Sequence, residues 1–351
     1  MSASALDVKP KVTAERQEFY GRLSQRSAAP LWEVLSDIVT VKPKPVGAPA
    51  LWRYDELRPL LMEAGGLITA HEAERRVLIL ENPAMPGKSQ ITGTLYAGLQ
   101  LVLPGEVAPS HRHTPSALRF VLESEGGYTA VDGERITMQP GDFIVTPTWT
   151  YHDHGNDSKA PIVWMDVLDL PLINYLAAGF AEHHPEETQP VTRHPGDSLA
   201  SFGNGLFPVN FKPGAEVSPV HVYPYDRSSA ALLQSAKSAE PHRSHGFKMR
   251  YVNPATGGSP MATIGTFLQM LPAKFSGAPV RSTDATIYCV KEGRGRTKIG
   301  DTTFSWGPRD IFVVPSWMPV SHEASEQAIL FSASDRPVQQ VLGLWREEEL
   351  S

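Results

Sequence analysis

Residues 128–154 read YTAVDGERITMQPGDFIVTPTWTYHDH, and residues 296–322 read RTKIGDTTFSWGPRDIFVVPSWMPVSH. The two stretches align without gaps at an offset of 168 positions (296 − 128), and the alignment continues upstream, where residues 103–123 match residues 271–291. Proline, aspartate, tryptophan and histidine recur at the same places in both stretches, and a glycine precedes each of them (Gly127 and Gly295). A long ungapped match of this kind indicates an internal duplication. The chain is therefore predicted to contain two copies of one structural unit.

The repeated unit is rich in short β-prone runs. Segments such as RRVLIL, ALRFVLE and DFIVT are separated by turn residues, and the 351-residue chain holds 28 Gly and 31 Pro. Short strands with frequent turns are typical of antiparallel sandwiches and barrels. A chain of this length suffices for two domains with sizeable cores. We predict a mainly all-β protein made of two barrels.

Changes in local composition and hydrophobic pattern along the chain predict four segments. The predicted segments are an N-terminal helical and extended segment (1–74), a first barrel (75–182), a linker with one helix (183–250) and a second, degenerate barrel (251–351).

Helical patterns occur outside the predicted barrels. Amphipathic patterns predict helices at 13–26 and 54–64, the second ending at Gly65-Gly66. A linker helix is predicted to begin with Asp226 as its N-cap and to reach Ala239.

Composition excludes several classes of protein. The formal net charge of −6, from 32 Lys and Arg against 38 Asp and Glu, argues against a general nucleic-acid binder. The single cysteine, Cys289, excludes an internal disulfide framework and fits a reducing compartment. No apolar run reaches the roughly 20 residues that cross a bilayer, and the N-terminus lacks the apolar core of a signal peptide. We expect a cytoplasmic protein without a membrane partner.

Three histidines of the first copy have the spacing of a metal site. His111 and His113 are two positions apart, so on a strand their side chains leave the same face with Cα atoms roughly 6.5–7 Å apart. His152 follows on a later strand, after the turn segment PGDFIVTP. Imidazole suits Fe, Zn, Cu and Ni, so the ligand type alone does not name the metal.

Comparison of the two copies separates residues of the common scaffold from candidate site residues, which occur in one copy only. The second copy has Pro279, Arg281 and Val320 at the aligned positions, so only the first barrel is predicted to bind metal.

The residues around the histidines resemble the two motifs of the cupin superfamily. Gly105 with the His-x-His pair matches the first motif, and GDFIVTPTWTYHDHGN (141–156) matches the second. The resemblance implies two double-stranded β-helix (jelly-roll) barrels, a bicupin. The sequence departs from the general pattern at Ala117 and Leu118, where a ligating Glu is usual, and at Trp149, where Gly is usual. Without the Glu, three neutral imidazoles leave the charge of a divalent ion for an anionic chelating substrate to neutralise.

In finer detail the sequence resembles the gentisate 1,2-dioxygenase family. The similar stretches are LYAGLQLVLPGEVAPSHRHTPSALRF (95–120), the segment up to residue 156, RYVNPATGG (250–258) and VRSTDATIYCVKEGRGRT (280–297). The resemblance implies an Fe(II) enzyme, often a homotetramer, that opens gentisate with dioxygen to maleylpyruvate and needs no organic cofactor. Salicylate and 1-hydroxy-2-naphthoate remain alternative substrates. A non-enzymatic aromatic- or sugar-binding cupin is the alternative from another class.

Arg119 is the first candidate to contact the substrate. It lies six positions after His113 (119 − 113), and this even offset aims its side chain at the same interior. A buried guanidinium needs a partner, so Arg119 either binds the substrate or forms a structural ion pair with a carboxylate.

Four more candidates lie upstream of the metal motif. By resemblance, Arg75 stands at a substrate-contacting position. Tyr96, Gly98 and Gln100 share one face of the preceding strand, where they either line the pocket, with Gly98 leaving room for a ring, or pack in the core.

Two residues are candidates to support the site from behind. His154, a catalytic candidate two positions after His152, is an alternative ligand, a proton relay or a structural hydrogen-bonder. Its recurrence as His322 favours structure, whereas the family resemblance favours a role beside the metal ligands. Asp166 either orients a ligand imidazole, as carboxylates often do, or is exposed at the surface or forms a different ion pair.

Overall fold

The structure, a computed structural model, describes residues 12–212 and 217–351. Its contacts divide the chain into two compact units, residues 1–44 and 45–351. The first unit contains α1 (Ala14–Ser24) and α2 (Leu31–Ile38). The helix predicted at 13–26 is confirmed as α1, whereas α2 was not predicted. Among the residues described, no helix has both the length and the apolarity needed to cross a membrane.

The second unit begins with a strand and two helices and continues into the first barrel. These opening elements are β1 (Ala50–Trp52), α3 (Tyr54–Leu67) and α4 (Ala70–Ala73). The barrel elements are β2 (Val77–Ile79), β3 (Tyr96–Val102), β4 (Val107–His113), β5 (Ala117–Glu123), β6 (Gly127–Val131), β7 (Glu134–Thr137), β8 (Phe143–Thr146), β9 (His152–Asn156), β10 (Ile162–Leu168), α5 (Leu170–Tyr175) and β11 (Ala181–His183).

A connecting region between residues 183 and 247 leads to the second barrel. It contains α6 (Asp197–Phe202), β12 (Val222–Tyr223) and α7 (Tyr225–Ala236). The barrel elements are β13 (Phe247–Arg250), β14 (Gly265–Leu271), β15 (Phe275–Ser276), β16 (Val280–Ser282), β17 (Thr286–Glu292), β18 (Gly295–Ile299), β19 (Thr302–Trp306), β20 (Ile311–Val314), β21 (Val320–Ala324), β22 (Ala328–Ser334), α8 (Arg336–Val341) and β23 (Glu347–Glu349).

Each barrel consists of two antiparallel sheets, as the all-β prediction requires. In the first barrel the sheet orders are β12-β8-β5-β10-β3-β2 and β11-β4-β9-β6-β7. In the second they are β1-β20-β17-β22-β14-β13 and β19-β18-β21-β16-β23, with β15 beside β21. Side chains from both sheets of the first barrel, such as Val131 and Trp164, meet in one buried cluster. The sheets therefore pack face to face around a common interior.

The two barrels exchange their leading strands. β1 precedes the first barrel in sequence but pairs with β20 of the second, and β12 precedes the second barrel but pairs with β8 of the first. Both strands are followed by helices whose first N–H groups are bound by a barrel aspartate. Tyr54 donates to Asp310 at 2.9 Å, and Tyr225 donates to Asp142 at 2.9 Å. The segment predicted as 1–74 and the linker predicted as 183–250 thus each supply a strand to a barrel.

Two helix boundaries differ from the sequence predictions. Helix α3 continues through Gly65-Gly66 to Leu67, because Gly65 packs so closely on Leu101 and Leu103 that a Cβ would lie 3.0 Å from Leu103 Cδ1. Helix α7 begins one residue before Asp226, which makes no cap hydrogen bond there. Asp142, from the barrel, binds the first N–H instead.

The inner sheets of the two barrels share one core. Alternate residues of β5, including Phe120, point away from their own barrel and pack on residues of the second barrel, including Phe331. The Phe120 and Phe331 rings stack with centroids 4.2 Å apart and planes 10° apart. The intervening residues of β5, such as Arg119, face the interior of the first barrel.

Removing either ring of this stack should destabilise the protein strongly. Phe120→Ala and Phe331→Ala are each expected to lower the free energy of unfolding by about 3–5 kcal/mol. Because the two rings contact each other, the double variant should lose less than the sum of the single losses. Urea unfolding followed by fluorescence measures both effects.

Phe312 provides the control, because it is buried in the separate core of the second barrel. The losses of Phe312→Ala and Phe120→Ala should add. Additive losses for Phe120 and Phe331 would contradict a core shared between the barrels.

Candidate metal centre

The three predicted ligands meet in the interior of the first barrel. β4 and β9 are neighbours in one sheet, and His111 lies directly opposite His152 in their register, after an irregularity between Ala108 and His111. His113 ends β4 two positions later, on the same face. The imidazole centroids are 4.4 Å apart for His111 and His152, 4.9 Å for His113 and His152, and 5.2 Å for His111 and His113. Their ligand nitrogens all lie within 4.8 Å of one another.

Backbone carbonyls orient these rings. Nδ1 of His113 lies 2.7 Å from the Pro115 carbonyl, and Nδ1 of His152 lies 2.9 Å from the Thr150 carbonyl. A carbonyl accepts but does not donate, so each Nδ1 carries the proton and each Nε2 keeps a free lone pair. Nδ1 of His111 is 3.4 Å from the Pro109 carbonyl and is also in contact with the Arg75 guanidinium.

All three imidazoles are held in the neutral form. Burial, reinforced by the charge of Arg75, lowers the pKa of His111 to about 2. Burial lowers the pKa of His113 to about 4. Burial and the charge of Arg119 hold the pKa of His152 well below its usual range. Neutral imidazoles are the form that binds metals, so the donor set fits a divalent transition ion.

A buried ion pair lies on the opposite sheet. Arg119 and Asp166 are directly opposite each other on β5 and β10, with Arg119 Nε 3.6 Å from Asp166 Oδ1. Arg119 also donates to Thr146 Oγ1, and Trp164 Nε1 donates to Asp166 Oδ1 at 2.9 Å. Among the described residues, Asp166 makes no hydrogen bond to a ligand imidazole, and its side-chain partners are Arg119 and Trp164. Burial raises its pKa to about 6, although the charge of Arg119 opposes the rise.

Several buried polar atoms in and around this ion pair make no hydrogen bond. Both ring nitrogens of His154, Nε2 of Gln100 and Nε of Arg119 are buried without a hydrogen bond. These residues lie on three strands, β9, β3 and β5, whose side chains reach the barrel interior. Because a lost hydrogen bond at a buried polar atom is costly, such atoms indicate a site built for a polar ligand.

His154 and His322 occupy equivalent positions but differ in their hydrogen bonding. His322 Nδ1 lies 2.9 Å from Thr297 Oγ1, so the second-barrel histidine has a partner. The equivalent threonine of the first barrel, Thr129, donates to the Asp153 carbonyl at 3.2 Å instead. His154 packs near Trp164, with centroids 5.0 Å apart, and its nitrogens stay free.

The remaining candidates lie beside the same interior. Arg75 donates to the Pro109 carbonyl at 2.8 Å, and burial lowers its pKa to about 9. Gly98 lies opposite Asp166 on β3. The room beside Gly98 is already filled, since an added Cβ would collide with Val77 and lie 3.0 Å from Tyr96 Oη. Gly98 therefore admits these two side chains, whereas the sequence suggested room for a ring.

Strand pairing shows which residues of the second barrel are equivalent to the predicted ligands. Two of them differ by one position from those that the ungapped alignment gives. Val280 pairs with Val320 as His111 pairs with His152, so Val280, and not Pro279, is the equivalent of His111. By the same register Ser282, and not Arg281, stands for His113. The ungapped alignment slips by one position here, where β4 has its irregularity. None of the corrected positions carries a histidine, so the contrast between the barrels holds.

Sequence reasoning missed four contributors to the site. Thr146 binds Arg119, Trp164 binds Asp166, and the carbonyls of Pro115 and Thr150 bind the ligand imidazoles. Backbone carbonyls leave no mark in a sequence. Trp164 had a weak signal, since it lies two positions from Asp166 on a strand and so shares its face.

Comparisons with known proteins agree with this geometry. Residues 98–168 match the family model of the cupin domain. Gentisate 1,2 dioxygenase 1 of Aquipseudomonas alcaligenes is 56% identical over 97% of this chain and 98% of its own. A 5-aminosalicylate 1,2-dioxygenase of Comamonas sp is 39% identical over 93% of this chain and 88% of its own.

A solved structure extends the likeness to the whole fold. Salicylate 1,2-dioxygenase from Pseudoaminobacter salicylatoxidans, in a structure of its adducts with gentisate, superimposes with a TM-score of 0.91 at 33% identity, covering 98% of this chain and 96% of that one. These matches span both barrels and the segments that join them. The chain belongs to the gentisate 1,2-dioxygenase family of bicupin proteins.

Proposed function

We propose that the protein is an Fe(II)-dependent dioxygenase that opens the ring of gentisate, between its carboxyl- and hydroxyl-bearing carbons, to give maleylpyruvate. The observation that carries the proposal is the group of three neutral imidazoles facing buried polar atoms that lack protein partners. The 56% identity to a gentisate 1,2-dioxygenase supports the choice of substrate.

His111, His113 and His152 are proposed to hold the iron. When bound, a divalent iron supplies a template for the aromatic acid and dioxygen and a path for electrons between them. The three ligands contribute no negative charge, so an anionic substrate with a carboxylate and an ortho hydroxyl is favoured electrostatically.

Arg119 is proposed to hold the substrate carboxylate. Its Nη1 donates to Thr146, and its Nε, which makes no hydrogen bond, lies 3.6 Å from the Asp166 carboxylate. A planar guanidinium held on these two sides has a fixed orientation, and a guanidinium in a fixed orientation suits a carboxylate.

His154 is proposed to bind a hydroxyl of the ring through one of its free nitrogens and to move the proton of that hydroxyl. Gln100, with Nε2 unpaired, is proposed as a second hydrogen-bond donor to the substrate. Arg75 and Tyr96 complete the proposed substrate contacts, with Gly98 giving space to the Tyr96 side chain.

Other sequence predictions remain part of the proposal. They are a homotetrameric assembly, a cytoplasmic location and the segment boundaries at residues 75, 183 and 251. Salicylate and 1-hydroxy-2-naphthoate are the alternative substrates, since proteins named for related acids are 34–39% identical to this chain. A cupin that binds aromatic acids without reaction is the alternative from another class.

Loss of any ligand should abolish ring cleavage. His111→Ala, His113→Ala and His152→Ala, reconstituted anaerobically with Fe(II), should each lose at least about 100-fold in gentisate-dependent oxygen uptake, because two imidazoles hold the metal poorly. An oxygen electrode measures the rate, and circular dichroism checks the fold.

The second barrel supplies matched controls for the ligand variants. Val280→Ala and Val320→Ala change the equivalent positions of a barrel without ligands and should keep most of the rate. Gentisate binding without oxygen uptake by the reconstituted wild type would contradict catalysis and support the non-enzymatic alternative.

Substrate choice should follow the family relationship. Gentisate is expected to have a kcat/KM at least about tenfold higher than salicylate or 1-hydroxy-2-naphthoate, measured by the ultraviolet absorbance of the ring-opened products. A higher kcat/KM on either alternative would reassign the substrate.

Activity should fall below about pH 6. The pKa of Asp166 is about 6 because of burial, so in more acidic solution the carboxyl takes up a proton and Arg119 loses its charged partner. We expect kcat/KM for gentisate to decline in this range, and Asp166→Asn to give a lower, pH-independent value there.

Stability should respond with the opposite sign. The folded-state pKa lies above the unfolded value of about 3.9, so folding takes up a proton and the contribution of Asp166 to stability decreases as the pH rises from about 4 to 6. The difference in free energy of unfolding between wild type and Asp166→Asn should show this trend.

An unchanged kcat/KM of the wild type between pH 5 and 7 would contradict the proposed role of the Arg119–Asp166 ion pair in activity.

A further inference from the structure

A group of side chains on the outside of the first barrel connects the two strands that carry the metal ligands. We call it the outer clamp, and it consists of Arg112, Trp149, Tyr151 and Glu182. The Arg112 guanidinium lies between the two rings, 4.5 Å from the centroid of each. Its Nη2 donates to Glu182 at 2.7 Å, and Tyr151 Oη donates to Glu182 at 3.0 Å.

The clamp holds Trp149 in an uncommon backbone conformation. Its φ is 57°, in the left-handed region that a residue with a large side chain rarely adopts. A glycine would adopt this conformation without strain. A tryptophan is retained here at a cost in backbone energy, and its ring makes contacts that glycine cannot make, with Arg112 and with Phe180 at 4.5 Å.

The backbone next to Trp149 contacts both ligand strands. The Trp149 N–H donates to the carbonyl of His113 at 2.8 Å. The carbonyl of the next residue, Thr150, lies 2.9 Å from Nδ1 of His152. Residues 149–150 therefore fix the backbone of one ligand and the ring of another, and the clamp fixes residues 149–150.

The second barrel contains the same device without ligands. Arg281 lies 4.7 Å from the Trp317 ring centroid and donates to Glu348 at 2.7 Å. Trp317 has φ 60°, and its N–H donates to the Ser282 carbonyl at 2.6 Å. This copy reproduces the contact of the arginine with the tryptophan, the ion pair and the left-handed backbone, with Pro319 in the place of Tyr151, where no imidazole depends on them.

We propose that the outer clamp is a positioning element that sets the metal affinity of the first barrel by holding His113 and His152 in register. The inference rests on the proposed metal site. Residues of this kind act through the ligands and touch neither metal nor substrate. Outer partners of metal ligands typically change metal affinity by 10–100-fold when removed.

The test compares the same substitution in the two barrels. Trp149→Gly removes the ring but keeps a residue that accepts the left-handed backbone, and Trp317→Gly does the same where no ligand depends on it. Metal-free protein is titrated with Co(II), which does not react with oxygen on this timescale, and the visible band of bound Co(II) gives the Kd. Trp149→Gly should weaken Co(II) binding about tenfold or more, and Trp317→Gly less than about twofold.

Further variants separate positioning from general loss of stability. Trp149→Phe retains an aromatic ring over Arg112 and should restore most of the affinity. The pair Arg112→Met and Arg281→Met repeats the comparison if a tryptophan variant fails to fold. Thermal unfolding of the metal-free proteins should show similar losses for both members of each pair.

Two outcomes would overturn the inference. Equal Co(II) affinities for Trp149→Gly and wild type would show that the turn positions the ligands without the Trp149 ring. Equal losses of Co(II) affinity in Trp149→Gly and Trp317→Gly would show that the substitutions act on the whole protein. Failure of the metal site itself is distinguishable, because wild type would then bind no Co(II) and His152→Ala would change nothing.

Discussion

The site depends on the orientation of neutral imidazoles by backbone carbonyls inside the first barrel. The carbonyls of Pro115 and Thr150 accept hydrogen bonds from Nδ1 of His113 and His152, so the remaining nitrogens face the interior with free lone pairs. Burial keeps these rings uncharged. Because the ligands bring no negative charge, the charge of a bound ion would remain available to an anionic substrate. The His154 nitrogens and Gln100 Nε2, which make no hydrogen bond, lie beside the same interior.

The two barrels share one fold but differ in the residues at equivalent positions of their interiors. In the first barrel Asp166 lies between Gly98 and Arg119, and the interior is polar. In the second barrel the equivalent Ser332 lies between Phe267 and Tyr288, which are both buried. The second barrel therefore has two aromatic residues at the positions that Gly98 and Arg119 occupy in the first. The exchanged strands β1 and β12 and the Phe120–Phe331 stack join the two into one unit.

The sequence predicts those features that depend on periodicity or on side-chain identity. The repeat, the β-rich texture and the spacing of the histidines suffice for the two barrels and the metal ligands. The exchange of β1 and β12 was not predictable, because strands of two or three residues carry no alternation. The alignment slips by one residue at Val280 because β4 has an irregularity. Helix α3 continues through Gly65 because this residue packs closely on its neighbours. Only the tertiary structure shows these two features. The free nitrogens of His154 were hidden because its recurrence as His322 indicated scaffold.

The central claim concerns the proposed ligands, His111, His113 and His152, and the charge that they would leave uncompensated on a bound Fe(II). X-ray absorption of the anaerobic Fe(II) protein at the iron edge, with and without gentisate, measures both most directly. Without substrate, three imidazole nitrogens and only water oxygens are expected around the iron; with gentisate, two substrate oxygens should replace water while the three nitrogens remain. Fewer than three imidazoles, a carboxylate from the protein, or a coordination shell that gentisate leaves unchanged would contradict the claim.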